Sequence, residues 1–405
     1  MNRLVQGDVG SGNTAVAAAC AWLAFRAGWQ CAMMAPTEIL AEQHYRTLRG
    51  LLEPLGVRCV LLTGSLTGGE KQRVRLALAG GQAELAIGTH ALLSQTTEFA
   101  RLGMVITDEQ HRFGVAQRAA LSEKGRGAHL LVMSATPIPR TLALILYGDL
   151  DVSILDELPP GRQRTDTFLV NETYRARLNG FLRKEVQAGH QCYVVCPSVE
   201  EGETESGKAA QVWAETLRQR VFPDLQVGLL HGRMKGQEKE AAMAEFAQGK
   251  TQILVATTVI EVGVDVPNAT VMVVEDADRF GLSQLHQLRG RVGRGPAKSY
   301  CILLSNNRNP DTQARLKALC KTGDGFRIAE EDLQLRGPGD FFGHRQHGLP
   351  TFRAANLSMD VSLLQQAQAA AALWIDRHGD ADTPEAACLR ARVESLFRDG
   401  SVAWN

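Results

Sequence analysis

The 405-residue sequence lacks an excess charge of either sign, a long apolar run and a dense set of cysteines. Lysine plus arginine and aspartate plus glutamate number 44 each, so any polyanionic partner must be met by local patches. The longest clean apolar run, Ala15 to Phe25, is shorter than the roughly 18 residues that cross a bilayer. The sequence therefore predicts a protein with no membrane span and no membrane partner.

The cysteine pattern and the N-terminus both indicate a reducing compartment. Eight cysteines are scattered, several within apolar stretches, which favours reduced core thiols over a disulfide framework. Cys192 and Cys196 share a C-x3-C spacing, but no His/Cys pair lies near them, so we interpret them as core residues and not as a zinc site. Met1 precedes a strand-like segment and not a secretory signal, so we expect a cytoplasmic protein.

The composition is that of an ordinary globular chain, and the length suggests two domains with a possible appendage. Apolar residues make up 44% and charged residues 22%, which excludes disordered and coiled-coil classes. Six short apolar runs in the first half, such as CAMMAP at Cys31 and MVITDEQH at Met104, alternate with helical stretches. This alternation predicts a parallel sheet covered on both faces, with functional loops at the carboxyl ends of its strands.

A second series of six strand-like runs follows a stiff Pro-Pro-Gly linker at Pro159, and it shows no obvious sequence repetition of the first. After about Asn309 the strand pattern stops and Ala- and Leu-rich helical sequence begins. We therefore predict two α/β domains over residues 1–157 and 158–308, whose facing edges form a cleft. Residues 309–405 are predicted to form a small helical appendix.

A glycine-rich loop follows the first strand and precedes an Ala-rich helix. Such a loop lets backbone N–H groups and the positive end of the helix dipole approach a phosphate. The segment matches the phosphate-loop pattern GxxxxGK[ST] except at Asn13, which replaces the lysine that reaches the β- and γ-phosphates. The predicted nucleotide-binding residues are Gly7, Gly10, Ser11, Gly12, Asn13 and Thr14. Taken alone, the loop is equally well read as a tight strand-helix turn.

An apolar strand ends in the acidic pair Asp108 and Glu109. In a phosphoryl-transfer site, Asp108 would hold Mg²⁺ through water, with Thr14 as the other predicted metal ligand, and Glu109 would orient or deprotonate the attacking water. The alternative is an ordinary solvated loop, which the phosphate loop upstream makes less attractive.

Nine segments, in order, resemble the motif set of superfamily 2 helicases and translocases. They are GDVGSGNT, PTEILAEQ, TGS, GTH, DEQH, SATPIPRT, LHGRM, TTVIEVGVDVP and QLRGRVGRG. Within that superfamily, DEQHRFGV at Asp108 and the tail Gly325 to Gly348 resemble the RecG family of bacterial DNA helicases. The resemblance covers essentially the whole chain, but the family's N-terminal part with its OB-fold wedge is not in it. We therefore expect a truncated gene product or fragment.

The resemblance implies two RecA-like parallel-sheet domains in tandem, with ATP and Mg²⁺ as cofactors. It makes Arg291 and Arg294 arginine fingers that cross the cleft, on what should be one helical face, and it places Gln287 near the γ-phosphate. A basic face that serves solubility or contacts a phosphate backbone is the alternative. The partner would be branched double-stranded DNA, and the protein would act as a cytoplasmic monomer.

Small polar residues in strand-end loops are candidates for DNA phosphate contacts and for coupling hydrolysis to movement. The tail would be a translocation motif, with a domain-packing loop as the plain alternative. The candidates are Thr63, Ser65, Thr89, Ser134, Thr136, Thr258, Arg336, Arg345 and Gln346.

The implied function is ATP-dependent movement on duplex DNA that remodels branched structures in recombination and repair. Because of Asn13, we expect poor ATP hydrolysis by the sequence as it stands. Two alternatives stay open: an inactive nucleotide- or DNA-binding fragment, and a transcription-repair translocase similar to Mfd, which more typically carries DEEH than DEQH.

Overall fold

The computed structural model describes residues 1–108, 127–134, 150–157, 164–197, 203–257, 266–332, 361–378 and 383–397. The chain forms two compact units. The first holds both β-sheets and ends at Ile328, and the second holds the residues from Ala329 onward. Across these ranges, no helix is both long enough and apolar enough to pass through a membrane.

The first lobe is a seven-stranded parallel sheet. Its strands are β1 (Asn2–Gly7), β2 (Gln30–Met34), β3 (Cys59–Leu62), β4 (Leu85–Gly88), β5 (Leu102–Thr107), β6 (His129–Ser134) and β7 (Asp151–Leu155). They lie in the order β3-β4-β2-β5-β6-β1-β7. Strands β2 and β4 are buried over their whole length, as expected for parallel strands covered on both faces. The sequence did not predict β7, which pairs with β1 at the edge of the sheet.

The second lobe is a six-stranded parallel sheet built in the same way. Its strands are β8 (Asp166–Val170), β9 (Gln191–Val195), β10 (Val227–Leu230), β11 (Ile253–Ala256), β12 (Ala269–Val274) and β13 (Tyr300–Leu304). Their order is β10-β11-β9-β12-β13-β8. Each of the twelve segments predicted as strands contains one, so the prediction of two parallel α/β domains is confirmed.

Helices cover both sheets. In the first lobe they are α1 (Asn13–Arg26), α2 (Glu38–Leu52) and α3 (Gly68–Ala79), and in the second α4 (Arg175–Gln187), α5 (Glu203–Thr216), α6 (Gly236–Ala247), α7 (Leu282–Arg289) and α8 (Pro310–Lys321). Helix α9 spans residues 325–332. Helices α10 (Val361–His378) and α11 (Pro384–Phe397) lie in the predicted appendix. Local sequence sets the boundaries: at α3, the Thr67 hydroxyl accepts from the N–H of Glu70, whose carboxylate accepts from the N–H of Thr67.

Helix α8 belongs to the core of the second lobe, although its residues follow Asn309, where the sequence suggested the appendix begins. Leu316 and Leu319 are fully buried in the same apolar cluster as β12 and α7. Asn309 caps the helix by accepting from the N–H of Asp311 at 2.9 Å. The second lobe therefore continues past its last strand.

The cysteine interpretation agrees with the structure. All eight cysteines are free, and Cys192 and Cys196 are buried against the second sheet. Burial raises the pKa of the Cys196 thiol to about 12, so this sulfur stays protonated at neutral pH. The C-x3-C spacing is therefore a packing feature.

The two lobes repeat each other in detail that the sequence did not reveal. Removing β7 leaves the same strand order in both sheets. After β3 the chain reads TGS and after β10 it reads HGR, and in each lobe a lysine bonds the glycine carbonyl: Lys71 to Gly64 at 2.6 Å and Lys239 to Gly232 at 2.7 Å. Equivalent side chains thus hold equivalent loops at the carboxyl ends of equivalent strands.

A buried glutamine locks each sheet to the segments beside it. The amide nitrogen of Gln30 donates to the carbonyls of Leu78 and Ala83, and its oxygen accepts from the N–H of Arg101. In the second lobe, Gln191 donates in the same way to Phe246 and Thr251. We call this arrangement the glutamine clamp. In the first lobe it joins the start of β2 to the end of α3 and to the segments that precede β4 and β5.

Candidate nucleotide site

The loop between β1 and α1 has the backbone shape of a phosphate cradle. Gly10 and Gly12 have φ angles of 78° and 105°, in the left-handed region that favours glycine. The N–H of Ser11 donates to the carbonyl of Asp8 at 2.9 Å, which curls the loop before the helix begins. A Cβ at Gly7 would lie 2.0 Å from the Ser11 hydroxyl, so a larger residue there would force the Ser11 side chain to move.

Polar atoms of this loop are buried without partners among the described residues. They are the hydroxyl oxygen of Ser11 and the amide oxygen of Asn13. Burying such a group unpaired costs about 1–3 kcal/mol, and a bound anion or its waters can satisfy a hydroxyl. The Ser11 hydroxyl fits a phosphate. The Asn13 oxygen does not, because it is an acceptor like the phosphate itself.

Asn13 is the first residue of α1, at the position of the missing lysine. Its amide nitrogen donates to the carbonyl of Ser134, at the end of β6, over 3.3 Å. The side chain is therefore tied to the sheet and supplies no charge to the cradle. The loop keeps the N–H groups and helix end that bind a phosphate and loses the cation that would stabilise charge on it.

Asp108 stands directly after β5, where its N–H donates to the carbonyl of Met34 at 3.0 Å. Its carboxylate meets Nε2 of His44 at 2.7 Å, and both side chains are largely buried. Sequence reasoning missed His44, which follows the last residue of the PTEILAEQ motif. A signal was present: His44 occupies the apolar stripe of α2 with Ala41, Leu48 and Leu52, where a polar side chain needs a partner.

The second lobe contributes Gln287, Arg291 and Arg294 to the same cavity, of about 260 Å³. The lining of this cavity also includes Gly10, Gly12, Asn13, Thr14, Gln43, His44 and Asp108. The structure thus brings together the predicted phosphate loop, the predicted metal ligand and the predicted arginine fingers. Their individual roles remain predictions.

One expectation about the arginines was wrong. Helix α7 ends at Arg289, and Gly290 caps it, so Arg291 and Arg294 do not share a helical face. They lie on an irregular segment in which Gly293 has a φ of 79°. Three glycines in six residues break the helix, and the resulting turn still directs both arginines to the cavity. The N–H at Nε of Arg294 donates to the carbonyl of Gly290 at 3.1 Å.

The second lobe has its own acidic strand end, and it is neutralised. Glu275 follows β12 as Asp108 follows β5, with its N–H bonded to the carbonyl of Val195. Arg175 donates two hydrogen bonds to the Glu275 carboxylate, at 2.6 and 2.7 Å. Burial alone would lower the pKa of Arg175, but its bonds to Glu275 and Glu172 raise it above the ordinary value. The Glu275 carboxylate is therefore already paired with Arg175.

The candidate DNA contacts differ in exposure. Thr63 and Thr89 follow β3 and β4 but are buried, whereas Ser65 is exposed and its hydroxyl lies 3.1 Å from that of Thr63. Ser134 is buried at the end of β6. Several predicted residues lie outside the described parts of the chain: Glu109, Thr136, Thr258, Arg336, Arg345 and Gln346.

Comparisons with known proteins match this geometry. Residues 1–145 match the family described as DEAD/DEAH box helicase, and residues 174–296 match the helicase conserved C-terminal domain. Residues 322–405 match the family described as ATP-dependent DNA helicase RecG, domain 3, C-terminal. The chain is RecG-like. This confirms the resemblance inferred from DEQHRFGV and the tail motif.

Relatives named ATP-dependent DNA helicase RecG extend the match to nearly the whole RecG-like chain. The Bacillus subtilis protein is 48% identical over 400 residues, which are 99% of this chain and 58% of the relative. The Escherichia coli O157:H7 protein is 50% identical over 91% of this chain and 54% of its own length. The chain therefore spans a little over half of these two relatives.

Solved structures give the same result for the fold. A structure described as RecG bound to a three-way DNA junction superposes with a TM-score of 0.76 at 47% identity, over 90% of this chain and 47% of the other. Dbp5 of S. cerevisiae bound to RNA and ADP BeF3 superposes with a TM-score of 0.58 at 16% identity, which supports the fold alone. The two lobes are RecA-like helicase domains, as the resemblance implied.

Proposed function

We propose that this chain is the motor portion of an ATP-dependent helicase that moves on double-stranded DNA and remodels branched junctions. The observation that carries the proposal is the single cavity lined by the phosphate loop, by Asp108 and by Arg291 and Arg294 from the other lobe. Groups from two lobes around one phosphate site are what phosphoryl transfer needs. The junction-bound relative supplies the class of DNA partner.

The residues of the cavity divide the work by chemistry. Backbone N–H groups from Gly10 to Thr14 bind the phosphates, and the helix dipole of α1 favours their charge. The Asp108 carboxylate and the Thr14 hydroxyl are oxygen donors of the kind that Mg²⁺ prefers when it is shared with a nucleotide. When bound, Mg²⁺ would neutralise charge on the phosphate oxygens. His44 orients Asp108 through the 2.7 Å contact.

The arginines act on the transition state and not on binding. Charge spreads over the equatorial oxygens of the transferring phosphoryl group, and a guanidinium that reaches them stabilises it. Because Arg291 and Arg294 belong to the second lobe, closure of the lobes would assemble the site. Glu109, which lies outside the described residues, is proposed to position the attacking water.

A second function is favoured by one observation: the side chain of Asn13 is bonded to Ser134 and carries no charge. On this reading the chain binds nucleotide and DNA without significant turnover. Both functions predict ADP binding, because the backbone cradle is intact. They differ in DNA-stimulated phosphate release, which the motor function requires.

The DNA part of the proposal is tested by titrating a labelled three-way junction and a matched linear duplex at two salt concentrations. Binding through phosphates should be independent of sequence and should weaken by at least about tenfold between 50 and 200 mM salt. Arg177→Ala, on the exposed face of α4, is the control. Absence of DNA binding at low salt would refute the proposal. A junction preference of a hundredfold would place fork recognition within these 405 residues.

A further inference from the structure

Asp8, the second residue of the phosphate loop, is turned away from the nucleotide cavity. Its Oδ1 lies 2.5 Å from Nε2 of His286 on α7, and its Oδ2 accepts from the N–H of Gly325 at 3.2 Å. The N–H of Val9 also donates to Oδ1 at 2.6 Å. One carboxylate thus joins the phosphate loop, the helix that precedes the arginine fingers, and the first residue of the tail motif.

Arg289 fixes the orientation and tautomer of His286. Its guanidinium lies 2.9 Å from Nδ1 of the ring, and because arginine only donates, Nδ1 is the acceptor and Nε2–H donates a hydrogen bond to the Asp8 carboxylate. Arg289 is itself buried and donates to the carbonyls of Leu319, Thr322 and Gly323. The chain of bonds therefore runs from the phosphate loop to the end of α8.

A second contact holds the same loop by packing. A Cβ added at Gly290 would lie 2.9 Å from the side chain of Val9, so the α7 cap lies directly against the phosphate loop. Val9 and Asp8 are adjacent, and they touch the second lobe through an apolar contact and a charged one. Any rotation of the loop backbone must be shared by α7 or must break these contacts.

The carbonyl of Asp8 has a different partner from its carboxylate. It accepts from the N–H of Ser11, inside the cradle, while the carboxylate faces His286 and Gly325. A phosphate bound by the N–H groups of the cradle would therefore act on the same residue whose carboxylate accepts from Gly325.

We propose that Asp8 is a positioning residue that transmits the occupancy of the phosphate loop, through His286 and Gly325, to the start of the tail motif. This rests on the proposed function, since it needs nucleotide in the cavity. The proposal concerns coupling: Asp8 touches no reacting group, and its loss should separate nucleotide binding from movement of the tail.

Hydrogen exchange of the backbone over 319–327, measured with and without ADP, reads this coupling in the chain as it exists. ADP should change the exchange rate of this segment several-fold in the parent. Asp8→Asn keeps the size and the acceptor oxygen but removes the charge, so it should abolish the response while leaving ADP affinity within about threefold. Asp151→Asn, an exposed aspartate paired with Arg3, is the matched control and should respond like the parent.

His286→Asn approaches the same link from the other side and should lose the same response with Asp8 intact. Melting curves show whether each variant is folded, and a variant that fails to fold is replaced by the other. In the Asn13→Lys background, Asp8→Asn should lower strand displacement at least about tenfold relative to ATP hydrolysis.

The outcomes separate the two proposals. A parent that binds no ADP overturns the proposed function, and this inference falls with it. A parent that binds ADP but shows no change over 319–327 overturns the coupling alone. Folded Asp8→Asn and His286→Asn variants that keep the full response would also overturn the coupling.

Discussion

Replacing Asn13 by lysine should restore ATP turnover. The structure supplies the reason: the Asn13 side chain makes one long hydrogen bond, 3.3 Å to the carbonyl of Ser134, and leaves its oxygen buried without a partner among the described residues. Little is therefore lost on substitution. A lysine here would place an ammonium group in a cavity of about 260 Å³ that is lined by Asp108, Arg291 and Arg294.

The expected size of the gain follows from the charge. Adding one preorganised electrostatic donor at a site of developing negative charge is worth roughly 10² to 10³ in rate, or about 2.7–4 kcal/mol. Binding should change less, because the backbone N–H groups of the cradle are present in both forms, and one charge-assisted contact is worth about 1.5–3 kcal/mol. We therefore expect a larger effect on kcat than on KM.

The assay is DNA-stimulated phosphate release by the parent, by Asn13→Lys and by Asn13→Met. The methionine variant has a similar length without the charge, so it reports the effect of removing the asparagine alone. Asn13→Lys should exceed both others by at least a hundredfold. Equal and robust rates in the parent and in Asn13→Lys would show that the phosphate loop does not need this cation, and the reasoning would be wrong.

Three further predictions concern stability, pH and coupling. Gln30→Leu should lower the free energy of unfolding by about 2 kcal/mol in chemical denaturation, because the carbonyl of Ala83 and the N–H of Arg101 lose their Gln30 partner, whereas the carbonyl of Leu78 keeps the N–H groups of Gly81 and Ala100; a change below 1 kcal/mol would contradict the clamp. Burial, with Arg233 and Lys239 nearby, lowers the pKa of His231 below 6.5, so the unfolded chain takes up its proton first. The contribution of neutral His231 to stability is therefore complete above pH 6.5 and is lost as the pH falls through the lowered folded pKa. His231→Gln should reduce the fall in melting temperature between pH 7 and pH 5, and the same fall in the variant as in the parent would refute this. Gln346→Ala, in an Asn13→Lys background supplied with an N-terminal wedge, should lower fork reversal far more than ATP hydrolysis, because Gln346 follows the last nucleotide motif in sequence rich in glycine; a proportional fall in both would place Gln346 in the catalytic cycle or in folding.

The sheets were predictable because their signal is local. Continuous apolar runs that end in Gly, Thr or Asp identify buried parallel strands, and the twelve predicted ones were found. Strand β7 (DVSIL) escaped because it is an edge strand, mostly half-buried, in which the charged Asp151 and the polar Ser153 interrupt the apolar run. The pairing of β7 with β1, which lies near the start of the chain, has no signal in the local sequence.

The site residues that belong to contiguous sequence motifs were predictable, and those whose partners are distant along the chain were not. The phosphate loop, Asp108 and the arginines were identified, and they line one cavity. His44 and Asp8 were not, because their importance lies in partners distant along the chain, Asp108 and His286. The error over Arg291 and Arg294 had a local cause: their spacing suits a helix, but the glycines around them end it.

The glutamine clamps have a consequence for how free energy from a nucleotide can be used. Each clamp joins segments of one lobe only, so it should stiffen that lobe without linking it to the other. Deformation is then expected at the contacts between the lobes, which among the described residues include the pair formed by Asp8 and His286 and the packing of Val9 against Gly290. Under the proposed function, a bound nucleotide would then move the two lobes as rigid bodies about these contacts.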